Sequence, residues 1–374
     1  MPRLTRLLLY TVSTALAASA KLASPTLPRS YIRSSLAPPA FISISAPGGR
    51  VRNYKNDHCE SRSIDWLRVA NVDVDITSAS VADADVVDVD DDYVDRGLRF
   101  NGVGRLYANK DPTITTDIVL DRLTSATVAI IGLGGVGSWA AESLCRSGIG
   151  NLILIDLDDI CISNTNRQLH ATASAVGKMK IDEMKNRLLD INPKCNVTLI
   201  HDFVSVENAN TLIQELCPQL TACIDAIDGM YEKTALILAC VDRAIPIVTC
   251  GGAAGRMDPT QITVDDLTKV QEDRLLFQCR KLLRQEHGFT KVPMPRGGGK
   301  KKKVRKWRIP AVYSTEVQQK ATVEDENTSS FRICDGALGT ACFVTGTYGF
   351  LAASKVVEMI ALDEFVVPKK QGKR

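Results

Sequence analysis

Residues 127–146 read TVAIIGLGGVGSWAAESLCR. Five apolar or β-branched residues run into a glycine-rich turn, and the turn runs into an alanine-rich segment. A short apolar run closed by glycine predicts a buried strand, and the stretch after it predicts a helix. Gly132, Gly134, Gly135 and Gly137 lack the Cβ atoms that would keep a phosphate away from backbone N–H groups. The helix N-terminus adds a partial positive charge at the same place. Asp156 closes the next apolar run, nineteen positions past Gly137, where a carboxylate accepts hydrogen bonds from ribose hydroxyls. Taken alone, this pattern predicts a dinucleotide-binding oxidoreductase, or glycines that serve only the packing of a strand on a helix.

Outward from this turn the chain is regular. Runs at 127–131, 151–156, 196–201, 222–227 and 245–250 predict strands, and the segments between them predict helices at 136–147, 175–190, 206–216 and 231–243. Strands alternating with helices imply an α/β fold, a Rossmann-like and mostly parallel sheet covered by helices on both faces. After Gly251 the spacing changes to a strand at 261–265, a helix at 267–286, a basic loop at 288–310, a strand at 311–315 and a last helix at 341–361. This predicts a smaller C-terminal α+β extension. The last helix is apolar, but Lys355 and Glu358 interrupt it and Gly346 and Gly349 lower its helix propensity, so it is expected to be buried in protein rather than in a membrane.

The expected organisation is a nucleotide-binding domain over 97–255, a C-terminal part of the same catalytic unit over 256–362, and a basic tail over 363–374. With 374 residues, 45% of them hydrophobic, a large buried core is possible. Lys and Arg number 46 against 43 Asp and Glu, so no global field directs the protein to nucleic acid or membrane. Eleven cysteines include no C-x-x-C pair, which argues against a secreted disulfide framework and a four-cysteine zinc site. Residues 1–56 carry no Asp or Glu among scattered Arg and Lys, a targeting composition. An organelle is expected, mitochondrion ahead of plastid, although the apolar run 7–20 also fits a secretory signal. Residues 57–96 include the repetitive acidic stretch VDVDITSASVADADVVDVDDDYVD and are expected to be a solvated linker.

The segment past Asp156 changes the chemistry. Asp158 follows, then Asn164, Arg167 and Gln168, then Lys180. Hydride transfer has no use for such a cluster, whereas a carboxylate attacking the α-phosphorus of ATP builds negative charge that Arg167 and Lys180 neutralise. Asn164 and Gln168 are uncharged donors to the nucleotide in this reading, and Asp228 is the candidate ligand for Mg²⁺. A G-x-x-x-x-G-K-[ST] loop is missing, which disfavours P-loop hydrolysis.

The stretches RFNGVGRLY (99–107), GLGGVGSWAAESLCRSGIG (132–150), LIDLDDICISNTNRQLHA (154–171), VGKMK (176–180), CIDAID (223–228), GGAAGRMDPTQI (251–262) and YSTE (313–316) together resemble the ThiF/MoeB/HesA branch of the ubiquitin-activating-enzyme superfamily. Within it, the likeness is greatest to the tRNA threonylcarbamoyladenosine dehydratases. The resemblance implies an ATP site formed by Gly132, Gly134, Gly135, Gly137, Asp156, Asp158, Asn164, Arg167, Gln168, Lys180 and Asp228. It also implies a homodimer in which Arg105 reaches the phosphates of the other subunit. The implied reaction activates the carboxylate of a threonylcarbamoyl group on a tRNA adenosine. The neighbouring nitrogen then closes the ring to a cyclic hydantoin, with AMP and pyrophosphate as the other products. A sulfur-relay protein is an implied partner. Members that activate sulfur-carrier or ubiquitin-like proteins commonly hold zinc with two C-x-x-C pairs, so their absence favours the dehydratases; activation of such a protein's C-terminus is the alternative. Cys334 lies near a cysteine of bacterial dehydratases, but a one-residue gap separates the two, and burial is the expectation for both Cys334 and Cys161.

The basic segment KVPMPRGGGKKKKVRKWR (291–308) contains Lys300, Lys301, Lys302, Lys303, Arg305 and Lys306 with no acidic residue. It is a candidate for holding tRNA phosphates by counterion release, with Trp307 available to stack on a base; the other reading is a solvated insertion.

Overall fold

The structure is a computed structural model that describes residues 91–290, 306–318 and 338–369, all within one compact unit spanning Asp85–Arg374. The expected targeting segment 1–56, residues 57–90 of the acidic stretch, Lys300 to Lys303, Arg305 and Cys334 lie outside the described residues.

Seven strands form one sheet: β1 Thr127–Ile131, β2 Asn151–Ile155, β3 Asn196–Ile200, β4 Ala222–Asp225, β5 Ile247–Cys250, β6 Ile262–Asp266 and β7 Pro310–Ser314. Their order is β3-β2-β1-β4-β5-β7-β6. All neighbours are parallel except the last pair, where β6 runs antiparallel to β7 at the edge. The expected C-terminal extension thus prolongs the nucleotide-binding sheet by two strands. Strand order reverses between β1 and β4, and their carboxyl ends diverge into the crevice where such sheets bind ligands.

The described helices are α1 Asp91–Ala108, α2 Thr116–Ser125, α3 Gly137–Arg146, α4 Lys180–Ile191, α5 Ala209–Leu216, α6 Met230–Asp242, α7 Arg274–Gln285 and α8 Cys342–Ala361. The central strands β1, β2, β4 and β5 lack polar alternation because both faces of the sheet are covered there. In β1, Val128 and Ile130 join a cluster with Leu144 of α3, Met184 of α4 and Tyr348 of α8. Ala129 and Ile131 join the opposite cluster with Ile213 of α5, Leu236 of α6 and Leu276 of α7. Each fully buried aliphatic side chain contributes about 1.5–3 kcal/mol relative to exposure.

Four local expectations are corrected. The linker expected to reach residue 96 gives way to α1 at Asp91. The helix expected at 175 starts at Lys180, because the preceding residues are held in a turn: Ile160 N–H donates to Lys178 O at 2.9 Å and Lys180 N–H to Asp158 O at 3.1 Å. The helix expected over 267–286 divides in two. Asp266 caps a short turn at Thr268 N (3.1 Å), and Asp273 caps α7 at Leu276 N (2.9 Å). Trp307 is fully buried, packed edge-on against Phe289 with ring centroids 4.8 Å apart, so its indole is not available to stack on a base.

No helix among the described residues is long and apolar enough to cross a membrane. Gly349 of α8 serves packing: a Cβ there would sit 2.6 Å from Val136 O and 2.9 Å from Ala140 N. Only glycine lets α8 lie this close to the start of α3, beside the phosphate-type turn.

Candidate active site

A cleft of about 740 Å³ opens at the carboxyl ends of β1, β2 and β4, a size typical of small-ligand sites. Gly132, Gly134, Gly135, Asp156, Asp158, Asn164, Arg167, Gln168, Lys180 and Asp228 all line it. The glycine turn forms one wall. A Cβ at Gly137 would fall 1.8 Å from Gly132 O, so the turn closes onto α3 only without one. Ser138 N–H of α3 donates back to Gly134 O at 3.2 Å, so the helix starts directly on the turn, and a helix start of this kind favours an anion beside it.

Asp156 is buried and anchors this wall. Its Oδ2 accepts from Leu133 N–H at 2.6 Å and its Oδ1 from Asp158 N–H at 2.8 Å. Each oxygen retains a further lone pair for a ribose hydroxyl. Lys180, at the first position of α4, is also buried. Its Nζ lies 2.5 Å from Asp158 Oδ2 and 4.0 Å from Asp156 Oδ1, so the ammonium enters the cleft already oriented by two carboxylates.

Arg167 comes from the turn that follows the short helix Ile162–Asn164. Its Nη1 donates to Ser163 O at 2.8 Å and to Asn166 Oδ1 at 2.9 Å. Its carbonyl accepts from Trp139 Nε1 at 3.0 Å and from Thr345 Oγ1 at 3.2 Å, which ties the arginine to α3 and α8. Asn164 spends its side-chain oxygen on Cys161 N–H at 2.9 Å, leaving its amide N–H groups as donors. Gln168 is buried, and its Oε1 has no hydrogen-bond partner among the described residues. Buried polar atoms in this state are costly unless a ligand or water engages them. A Cβ at Gly134 would meet nothing within 4 Å, so the turn leaves open space for a phosphate-sized group. Both observations fit a nucleotide.

The opposite wall is Gly251 to Ala254. Buried charge holds it from behind. Arg256 donates from Nε to Gly252 O at 3.0 Å and from Nη2 to Glu272 O at 2.6 Å, and its Nη1 bonds Glu316 O. Asp273 Oδ2 accepts from Gly252 N–H at 3.0 Å; burial pushes the Asp273 carboxyl above its usual range, against the lowering pull of its backbone hydrogen bonds and Arg256. Below Asp228, Asp225 accepts from Thr249 Oγ1 at 2.6 Å and from Ile227 N–H at 3.1 Å, and Lys233 Nζ stands 2.8 Å from its Oδ1. Asp225 and Lys233 are both fully buried, and the Lys233 contact is an ion pair without hydrogen-bond directionality. Sequence reading missed this support, although Arg256 and Glu316 sit inside two of the quoted stretches.

Asp228 is an exposed carboxylate on the lip of the cleft. No cluster of three or more metal-ligating side chains exists among the described residues. A single carboxylate beside a phosphate site suits Mg²⁺, which is usually held by one or two carboxylates plus substrate phosphates. Arg105 is exposed on α1 and is not among the residues of this cleft. Cys161, expected to be buried, is exposed at the rim. Cys250 lines the cleft, but burial pushes its thiol up to about 12, which removes it as a nucleophile at neutral pH.

Comparison with known proteins adds a family context to this geometry. The model of the ThiF family matches residues 109–367. The tRNA threonylcarbamoyladenosine dehydratase of Haemophilus influenzae is 41% identical over 263 residues, covering 70% of this chain and 93% of that protein. The dehydratase of the same name from Escherichia coli is 39% identical over 271 residues, covering 70% and 92%. A crystal structure of the E. coli dehydratase in complex with ATP superposes with a TM-score of 0.59 at 37% identity, covering 74% of this chain and 97% of that one.

Proposed function

This chain belongs to the ThiF family, and we propose on that premise that it is an ATP-dependent tRNA threonylcarbamoyladenosine dehydratase. It activates the threonylcarbamoyl carboxylate by adenylation, and the carbamoyl nitrogen closes the cyclic hydantoin. The observation that carries this reading is the convergence of Arg167, Gln168, Lys180 and Asp228 on one cleft beside the glycine turn, in a chain similar to such dehydratases over nearly their whole length.

ATP, once bound, supplies an electrophilic α-phosphorus and pyrophosphate as leaving group. The residues divide the remaining work. The glycine turn receives phosphate oxygens on backbone N–H groups, and Asp156 takes the ribose hydroxyls. Arg167 and Lys180 neutralise the charge that grows as the carboxylate oxygen bonds to phosphorus and pyrophosphate departs. Asp158 holds the Lys180 ammonium in place without removing its charge. Asn164 and Gln168 are neutral donors, and Asp228 would hold Mg²⁺ against the phosphates. The second step breaks the bond from acyl carbon to adenylate oxygen and forms one to the carbamoyl nitrogen, which gives up its proton; AMP leaves. Because the step is intramolecular, positioning accelerates it, while departure of AMP drives it.

Several finer features belong to the same reading. Arg105, exposed and not among the residues that line its own chain's cleft, serves the site of a second copy in an isologous homodimer. Lys300 to Lys303, Arg305 and Lys306 contact tRNA phosphates. Residues 1–56 direct the chain to an organelle, the mitochondrion ahead of the plastid, where a sulfur-relay protein is its partner. The deciding experiment is mass spectrometry of tRNA carrying threonylcarbamoyladenosine after incubation with protein and ATP. Loss of one water from the modified nucleoside, with one AMP formed per event, is the expected result; an unchanged nucleoside mass rejects the function.

A further inference from the structure

Helix α7 carries four basic residues, Arg274, Arg280, Lys281 and Arg284, and no acidic one. Its buried side is Leu276, Cys279 and Leu283. At 100° per residue, Arg274, Phe277, Lys281 and Arg284 fall together on the opposite side. Arg274 and Lys281 are exposed, Arg284 is half-buried, and the ring of Phe277 is 48% exposed with the Arg280 guanidinium 5.9 Å from its centroid.

Several surface cations elsewhere are neutralised, as Arg187 is by Glu142, Lys269 by Asp265 and Lys110 by Glu358. None of the four α7 cations forms a direct ion pair among the described residues. Arg280 and Arg284 also stand close enough to lower the Arg280 pKa, after burial as the larger cause. The acidic neighbours are Glu272 before the helix and Glu286 after it, and the cap Asp273 is turned inward onto Leu276 N–H and Gly252 N–H. A row of like charges without counterions costs free energy that a polyanion would recover.

The helix is also placed where such a ligand would be needed. Leu275, in its first turn, lines the cleft, and its cap Asp273 holds the Gly252 side of the cleft wall. At the far end Phe289 N–H donates to Leu283 O at 3.1 Å and Phe289 packs on Trp307, which sets exposed Lys306 and Arg308 beside the end of α7. Ten residues from Arg274 to Arg284 span about 15 Å, so the cationic row leads away from the cleft lip.

We propose that the exposed face of α7, Arg274, Phe277, Lys281 and Arg284, is the rail that holds the tRNA backbone while the modified adenosine sits in the cleft. This rests on the tRNA reading above and extends its surface from Lys306 along α7. The cations take phosphates, and Phe277 offers an exposed aromatic face to an unstacked base.

The test is fluorescence anisotropy of full-length protein with labelled tRNA across a salt series, alongside ATP affinity measured separately. The triple variant Arg274→Ala, Lys281→Ala, Arg284→Ala is expected to bind tRNA at least tenfold more weakly near 0.1 M salt, with the slope of log affinity against log salt shallower by about 2. ATP affinity should not change. The charge-keeping variant Arg274→Lys, Lys281→Arg, Arg284→Lys should retain the wild-type slope. Wild-type affinity and slope in the alanine variant, or an equal loss of ATP affinity, overturns the proposal. If polyglutamate displaces labelled tRNA from wild-type protein as effectively as unlabelled tRNA does, the tRNA reading is overturned, and the rail with it.

Discussion

The two walls of the cleft are built on opposite principles. The wall around the glycine turn presents its polar groups to the cavity: Lys180, Arg167 and Gln168 line it, Lys180 held by Asp158, Arg167 by Ser163 O, and Gln168 with its Oε1 unpartnered among the described residues. The wall of Gly251 to Ala254 and the floor below Asp228 keep their charges out of it. Lys233 pairs with Asp225, and Arg256 with backbone carbonyls and, at 3.8 Å, Asp273, all buried from water. Buried ion pairs of this kind seldom add net stability over apolar packing. Their value lies in fixing where Asp228 and the glycine wall stand. Chemistry is carried by one wall and geometry by the other.

The contrast predicts different symptoms when each wall is damaged. On the buried side, Lys233→Met leaves the Asp225 carboxylate in the core without its cation and is expected to cost about 3–5 kcal/mol, read as a lower midpoint in urea unfolding. The double variant Lys233→Met, Asp225→Asn should recover a large part of that loss. Full recovery of stability with activity still impaired would isolate the positioning role. On the cleft side, Lys180→Ala should leave the unfolding free energy within about 1 kcal/mol of wild type and lower kcat by roughly 10²–10³, measured by AMP release in the presence of modified tRNA. A large fall in the midpoint with intact turnover would reverse the assignment of the two walls.

Sequence made the first wall visible and hid most of the second, for a physical reason. A phosphate turn requires glycines at fixed spacing after a strand, and Asp156, Arg167 and Lys180 follow in sequence because all three lie on the single connection from the end of β2 to the start of α4. The floor is assembled from separate segments: Asp225 ends β4, Lys233 sits in α6 and Thr249 lies in β5. A lone lysine within MYEKTALILACVD has no feature that distinguishes it from a solvated helix lysine until the sheet brings the carboxylate beneath it. The same limit explains Trp307. Its setting among lysines and arginines suggested a solvent-facing ring, whereas its backbone N–H donates to Asp266 Oδ1 at 3.1 Å and its ring fills the core beside Phe289. Helix α2 was missed although Thr115 caps it, accepting from Ile118 N–H at 3.3 Å; its apolar stripe of Val119, Leu120 and Leu123 is too short to stand out by period alone.

His170 sharpens the comparison from the first wall's own interior. It lies two residues past Gln168, buried, and neither ring nitrogen meets a hydrogen-bond partner among the described residues. Burial, aided by the Lys180 charge, lowers its pKa from 6.5 to about 4. The folded protein therefore keeps the imidazole neutral where the unfolded chain binds a proton. The stability tied to that neutrality is fully present above pH 6.5 and is lost as pH falls toward 4, because the unfolded state takes up more protons in that window. A shift of this size corresponds to roughly 3 kcal/mol across the window. Replacing His170 by Leu removes the proton site while keeping an apolar side chain, so the acid limb of a plot of unfolding midpoint against pH should flatten between about pH 4 and 6.5. Lys180→Ala should move the same limb only slightly, since burial and not the ammonium is the larger cause. Should His170→Leu leave the acid limb unchanged, the ring is already protonated or hydrated in the fold, and the first wall would hold a second buried cation behind Lys180.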